Sequence, residues 1–220
     1  MSHVGVDISP VSIRVIELVK KDGHSKLGKY GAHQLPSVID RSQPLIQNEG
    51  LIATLKEIKK TYDLDFVEVA IPEELAYLFT TLLPYGDEET IRNHIELHLE
   101  ENVPLALSDA VFDYHMIETQ SAEAVDPGVA ERPDADEKDD AGASKAVDVN
   151  ELRVSSKPRS FLASVSVVSR SIIDSYIEAF ELAGMTPVSF LIENQALSKS
   201  IIKKGDDAPR LIVHVGEKKS

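Results

Sequence analysis

The sequence predicts an α/β fold, and three observations carry that reading. Short runs alternate apolar and polar residues, amphipathic stretches with apolar residues every three or four positions fall between them, and Gly, Pro and Asp mark the joints. The chain has 220 residues of which 42% are apolar, enough to bury a core.

Val4, Val6 and Ile8 alternate with Gly5 and Asp7, and after Ser9 and Pro10 a second run carries Ile13, Val15 and Val19. The spacing predicts two strands joined by a tight turn. Asp22-Gly23 is a hairpin signal, and residues 27–35 supply a third strand ending at Pro36. Between Asn48 and Tyr62, Leu51, Ile52, Leu55 and Ile58 define one helical face opposite Lys56, Lys59 and Lys60. The run from Phe66 to Ile71, closed by Pro72, reads as a buried strand added to this meander.

Asp87, Glu88 and Glu89 suit the first turn of a helix, and Ile91, Ile95 and Leu99 repeat before Pro104. Residues 111–117 and 161–168 predict two strands that could pair directly, so the stretch between them is an enlarged hairpin loop. Ile172, Ile173, Tyr176, Ile177 and Phe180 give a further helix ending at Gly184. A short strand at 188–191, a helix over 193–204 and a last strand at 211–215 complete the prediction.

The formal charge is -14, which argues against a phosphate-backbone partner, because such binding depends on clustered Lys and Arg. The charge is uneven: in residues 120–150 nine acids face only Arg132, Lys138 and Lys145, Asp, Glu, Ala, Gly and Pro dominate, and aromatics are absent. That composition predicts a disordered loop. The absence of cysteine fits a reducing compartment, and no apolar run approaches the roughly 18 residues of a membrane span. These features predict a cytoplasmic protein that neither spans a membrane nor is exported.

A strand ending in Asp7, a turn with Ser9 and Ser12, and a returning strand resemble the first phosphate loop of actin-like ATPases. Residues 211–220, with Gly216 and Ser220, resemble the second loop. The match becomes specific along Val4-Gly-Val-Asp-Ile-Ser9, Val67-Glu-Val-Ala-Ile-Pro72, Glu100-Glu-Asn-Val-Pro104, Ala183-Gly-Met-Thr-Pro187 and Glu193-Asn-Gln-Ala-Leu197. In these segments the chain resembles PilM, the actin-like cytoplasmic protein of type IV pilus assembly.

The resemblance implies an actin-like, ribonuclease H-like core with an inserted α/β subdomain of the kind found in the cell-division protein FtsA. The expected boundaries are a first core subdomain over 1–83, an insert over 84–191, and a core helix with linker over 192–209. Residues 210–220 would begin a second actin-like domain that is otherwise missing, so the chain reads as truncated.

By the same resemblance the function is that of a scaffold at the inner face of the cytoplasmic membrane. It would bind the short cytoplasmic tail of a PilN-like inner-membrane partner and other pilus assembly proteins. Tyr77, Phe79, Leu82 and Leu83, an apolar segment at the border of core and insert, are the candidate partner-binding residues. ATP and magnesium are the family's cofactors. Asp7, Ser9, Ser12, Gly216 and Ser220 are the candidate cofactor-binding residues, with Asp7 nearest the metal.

Departures from the family pattern predict vestigial or weak ATP binding and no catalytic residue. Ser9 and Pro10 stand where the family places Gly and a hydroxyl residue, adding a β-carbon and removing an amide donor. His214 stands where an acid begins the second loop, and imidazole is a poor neighbour for a hard cation. Two other readings stay open: an active actin-like ATPase or sugar-kinase relative, and the cytoplasmic part of a GspL-like type II secretion protein. His94 and His98, four apart on a helix, have the spacing of a zinc pair but no third ligand is evident, so a solvated helix face is the plainer reading.

Overall fold

A computed structural model describes residues 2–40, 43–117, 160–203, 205, 208 and 210–214. The expected loop over 120–150 lies outside these residues, as do Gly216 and Ser220. The α/β expectation is met by two sheets and four α-helices among the described residues.

The opening meander consists of β1 (Ser2–Ile8), β2 (Ser12–Lys21) and β3 (His24–Gln34). Asp22 and Gly23 both take positive φ in the β2–β3 turn, the backbone that a two-residue hairpin loop requires. Midway, a bulge sets Gly28 and Lys29 against Glu17, and the Glu17 carboxylate accepts the Lys29 amide at 3.0 Å. The donor released from the ladder is thereby satisfied.

Helix α1 (Glu49–Tyr62) starts where the sequence places it, with Asn48 Oδ1 accepting the Leu51 amide at 2.8 Å. Leu51, Leu55 and Ile58 are fully buried, while the lysine face meets solvent. The helix returns the chain to β4 (Phe66–Ile71), which lies parallel to β1. Tyr62 then ties the helix end to β3: its carbonyl accepts from Lys29 Nζ at 2.6 Å, and its hydroxyl lies 3.0 Å from His33 Nε2. A β-carbon at Gly31 would collide with that hydroxyl, so the close approach needs glycine there.

The next strand is β5 (Ala76–Pro84), whose apolar run carries no alternation to mark it as a strand in the sequence. Helix α2 (Glu88–Asn102) follows, capped by Asp87, whose carboxylate accepts the Thr90 amide at 2.9 Å. Strands β6 (Ala110–Ile117) and β7 (Ser160–Ser169) pair antiparallel, as expected, and β7 also pairs with β5, giving the order β5-β7-β6. Leu83, Phe161, Ala163, Val165 and Val167 point to one face, where Ile95 and Leu99 of α2 bury them.

Helix α3 (Arg170–Leu182) ends as the sequence predicts, with Gly184 at φ 80°. The Met185 amide reaches the Phe180 carbonyl and the Gly184 amide reaches that of Glu181, both at 2.9 Å, closing the last turn in a Schellman motif. Strand β8 (Thr186–Ile192) then lies parallel to β4, which makes the first sheet β3-β2-β1-β4-β8. Thus α3 and β8 complete the first layer instead of the second: Tyr176, Ala179 and Phe180 share one cluster with Val6, Ile13, Leu55 and Val69. The strand pairings accordingly group 76–169 around the second sheet, whereas the sequence reading placed the insert over 84–191.

Helix α4 (Glu193–Ile201) crosses to the opposite face of the first sheet. Residues 211–214 pair with no strand among the described residues, and Leu211 is 91% exposed. Alternating apolar side chains made this segment look like a strand, but a strand exists only where a neighbour supplies its hydrogen bonds.

Candidate functional site

The turn between β1 and β2 is built from the hairpin register, which sets Asp7 directly across from Arg14. Arg14 Nη1 donates to Asp7 Oδ2 at 3.3 Å, so a guanidinium stands at the carboxylate where the family resemblance places a metal. Both side chains are partly exposed, and a pair of this kind adds little stability. Its importance is that it directs the charge.

Ser9 closes the turn on itself. Its hydroxyl donates to the Ser12 carbonyl at 3.0 Å, accepts the Ser12 amide at 3.0 Å and lies 2.9 Å from the Ser12 hydroxyl. The Ser9 amide also donates to Ser12, at 2.9 Å, and Pro10 has no amide hydrogen to offer. Ser12 is buried. A phosphate cradle needs amides and hydroxyls aimed outward, and a magnesium site needs carboxylate or water oxygen. As arranged here, the groups of this turn do not fit a magnesium phosphate. Sequence inspection could have found the Asp7–Arg14 pair, since a tight turn centred between Pro10 and Val11 fixes that register.

Beside this turn, the face of the first sheet turned away from α1 and α3 forms a concavity of about 690 Å³. Asp7, Arg14, Ile16, Tyr30 and Leu191 line it, and Ala196 of α4 closes one side.

The four candidate partner residues lie on one strand but not on one surface. Leu83 is fully buried and Phe79 packs against the second core, so these two serve packing. Tyr77 shares their face yet is 40% exposed, and Leu82 points to the opposite face with 59% exposure. That outward face of the second sheet runs toward the first sheet. At the junction a groove of about 110 Å³ is lined by Asp113, His115, Val168, Phe190 and Gln195 among others. Gln195 Nε2 donates to Ser166 Oγ at 2.6 Å and so fastens α4 to β7 across the groove. No local pattern in the sequence announces this bond, because its partners are brought together only by the sheet order.

The polar start of α4 is also occupied. Glu193 Oε1 lies 3.7 Å from His214 Nδ1, an ion pair when the imidazole is protonated, and Asn194 Oδ1 is buried without a hydrogen bond among the described residues. His94 Nδ1 lies 3.2 Å from the Thr90 carbonyl, and His98 lies near Glu101. Among the described residues no three His, Cys, Asp or Glu side chains converge as a metal site, and no helix is long and apolar enough to cross a membrane.

Residues 5–134 match the family described as Type IV pilus assembly protein PilM. Among solved structures, a chain of the "PilM-PilN type IV pilus biogenesis complex" is similar with a TM-score of 0.62 at 13% identity, over 90% of this chain and 49% of that one. The cytoplasmic domain of EpsL, an inner-membrane component of the type II secretion system of Vibrio cholerae, aligns with a TM-score of 0.48 at 13% identity, over 86% and 57%. The first likeness shows a shared fold, the actin-like architecture implied by the sequence resemblance. The present chain spans about half the length of the PilM-PilN complex chain that it matches.

Proposed function

This chain belongs to the family of type IV pilus assembly protein PilM, and from that premise we propose that it is a cytoplasmic scaffold for pilus assembly, working at the inner face of the membrane. It captures the short cytoplasmic tail of a PilN-like inner-membrane protein. The observation that carries this reading is the family match over residues 5–134, joined to the fold shared with a chain of a PilM-PilN complex.

The groove at the junction of the two sheets supports tail capture. It is apolar along Val168 and Phe190, with Asp113, His115 and Gln195 at hand to fix an extended backbone. Leu82 lies farther along the same outward face, whereas Tyr77 stands on the inner face of the same strand. Ser166 and Gln195 hold the groove walls together. Binding here is a matter of side-chain pockets and backbone hydrogen bonds, with no bond made or broken.

Nucleotide, in this reading, binds weakly or not at all through the first turn, and the chain is not a self-sufficient ATPase. The Arg14 partner of Asp7 and the self-closed Ser9 turn support that. The test is a fluorescence-anisotropy titration with the N-terminal tail peptide of a PilN-like protein, with and without magnesium ATP. Saturable binding, unchanged by nucleotide and reduced on the order of tenfold by Val168→Asp, is expected. Absence of peptide binding together with tight magnesium ATP binding would overturn the scaffold reading in favour of an actin-like ATPase.

A further inference from the structure

Charge is sorted along this chain. Residues 14–60 hold nine Lys and Arg against five acids, whereas residues 63–117 hold Arg92 against thirteen acids. The fold then carries most of the two groups to opposite ends. Register places the start of β4 toward the β2–β3 turn and Ile71 at the far end, from which the chain passes to Glu73, Glu74 and the acids of 87–113 around the second sheet.

The end that holds the turn is basic. Lys20, Lys21, His24 and Lys26 flank Asp22 and Gly23, and all four are exposed. Helix α1 ends where Tyr62 meets Lys29 and His33 of β3, so the turn projects beyond the helix. Asp63 and Asp65 share this end, and Lys59 pairs with Asp65. Lys56 and Lys60, on the last two turns of α1, are exposed as well.

The projecting hairpin also has an apolar side. Leu18 pairs with Leu27 and Ile16 with Tyr30, and the four are between 43% and 67% exposed. They point away from α1, because the alternate residues Ile13 and Val15 fill the core. Lys20 continues this side toward the turn, while Lys21 and Lys26 stand on the reverse.

Leucines nearest the turn, a tyrosine behind them and a fringe of lysines make a segment suited to a bilayer interface. The leucines leave water there, the phenol sits at headgroup level and the ammonium groups reach lipid phosphates. Nucleic acid would use the lysines and leave the leucines in water. We propose that the β2–β3 hairpin is a contact site for an anionic lipid surface, entered by Leu18 and Leu27 and held by Lys20, Lys21 and Lys26. On a chain of net charge -14, this contact turns the acidic second sheet away from the headgroups.

The contact rests on the proposed position at the inner face of the membrane and is compatible with tail capture. Ile71, which lines the junction groove, is five residues along β4 from the level of Leu18, roughly 17 Å at about 3.3 Å per residue. A short extended tail leaving the bilayer spans that gap. The test uses vesicles free of other protein, so its failure leaves tail capture standing.

Flotation of the purified 220-residue chain with vesicles of phosphatidylcholine and phosphatidylglycerol is expected to show binding that grows with the share of phosphatidylglycerol. Binding should be absent on phosphatidylcholine alone and fall as salt rises. Lys20→Glu combined with Lys26→Glu should lower partitioning on the order of tenfold or more, with circular dichroism unchanged because both side chains are exposed. Since the chain has no cysteine, one introduced thiol reports depth. An environment-sensitive dye on Leu27→Cys should shift to the blue on anionic vesicles, and the same dye on Leu97→Cys, 71% exposed on α2, should not. Failure to bind anionic vesicles, binding indifferent to the double charge reversal, a shift at Leu97→Cys alone, or preference for duplex DNA over vesicles at equal phosphate would each overturn the assignment.

Discussion

The two sheets are covered to different degrees, and the contrast separates what holds the fold from what meets other molecules. The first sheet has α1 and α3 on one face and α4 beginning across the other, and its strands pair in both directions. The second is a plain antiparallel sheet with α2 on its inner face; its outer face meets α4 near Ser166 and Val168, which are buried, and is exposed among the described residues at Leu78 and Leu82. One region is thick enough to serve as a frame. The other trades cover for accessible surface.

The sharpest way to break this comparison is to open a cavity in each core. Phe180 is fully buried between α3 and the first sheet, and Phe180→Ala should cost about 3–5 kcal/mol and lower the unfolding midpoint of the whole chain. Ile95, fully buried under the second sheet, should cost about 2–5 kcal/mol when replaced by Ala. Its loss should release the β6 and β7 amides to hydrogen exchange while β1 and β4 stay protected. Equal loss of protection in both sheets after Ile95→Ala would show that they are one cooperative unit.

Smaller effects are expected at the helix starts. Asn48→Ala removes the acceptor for the Leu51 amide and should destabilise the first region by about 1 kcal/mol in chemical denaturation. A loss below the error of that measurement would mean that packing alone fixes α1. The corresponding cap on α2 is acid-sensitive. Hydrogen bonds from Thr90, first its side chain and then its backbone amide, hold the Asp87 carboxyl below the ordinary aspartate range.

The ionised Asp87 is therefore the form that the fold favours. Its contribution is complete above the ordinary range and fades as pH falls through the lowered value. The protection of the Thr90 amide, its exchange compared with the intrinsic rate at the same pH, should fall as pH drops through and below the ordinary aspartate range, and Asp87→Asn should flatten that dependence. An unchanged profile in the asparagine variant would assign the acid sensitivity to other groups.

Much of this architecture could be read from residue patterns, and the exceptions have physical causes. The meander, α1, α2, the β6–β7 pair and the Gly184 terminus all follow from local periodicity and turn chemistry. Strand β5 was not legible because apolar side chains occupy both of its faces, which removes the alternation that marks a half-buried strand. The place of β8 was not legible either, since a parallel partner is chosen by the topology of the whole layer.

The site divides in the same way. Asp7, Ser9 and Ser12 stand at the turn the sequence predicts, but the sequence reading expected their polar groups to face a ligand, and they face one another and Arg14. Tyr77, Phe79, Leu82 and Leu83 were grouped by proximity in sequence, whereas the period of two in a strand sends Leu82 to the other face. Gln195 and Ser166 escaped notice because nothing short of the finished fold makes them neighbours.

The pairing of β4 with β8 also sets an order of events during synthesis. Phe66 meets Thr186 and Ile71 meets Ile192, with the entire second sheet made in between. As the chain leaves the ribosome, the meander, α1 and β4 emerge as a sheet with an open edge and without the cover that Tyr176 and Phe180 later provide. The intervening strands pair among themselves and can be complete before α3 and β8 arrive. The less covered region is thus the first able to finish folding, and the frame closes last, when α3 and β8 return to β4.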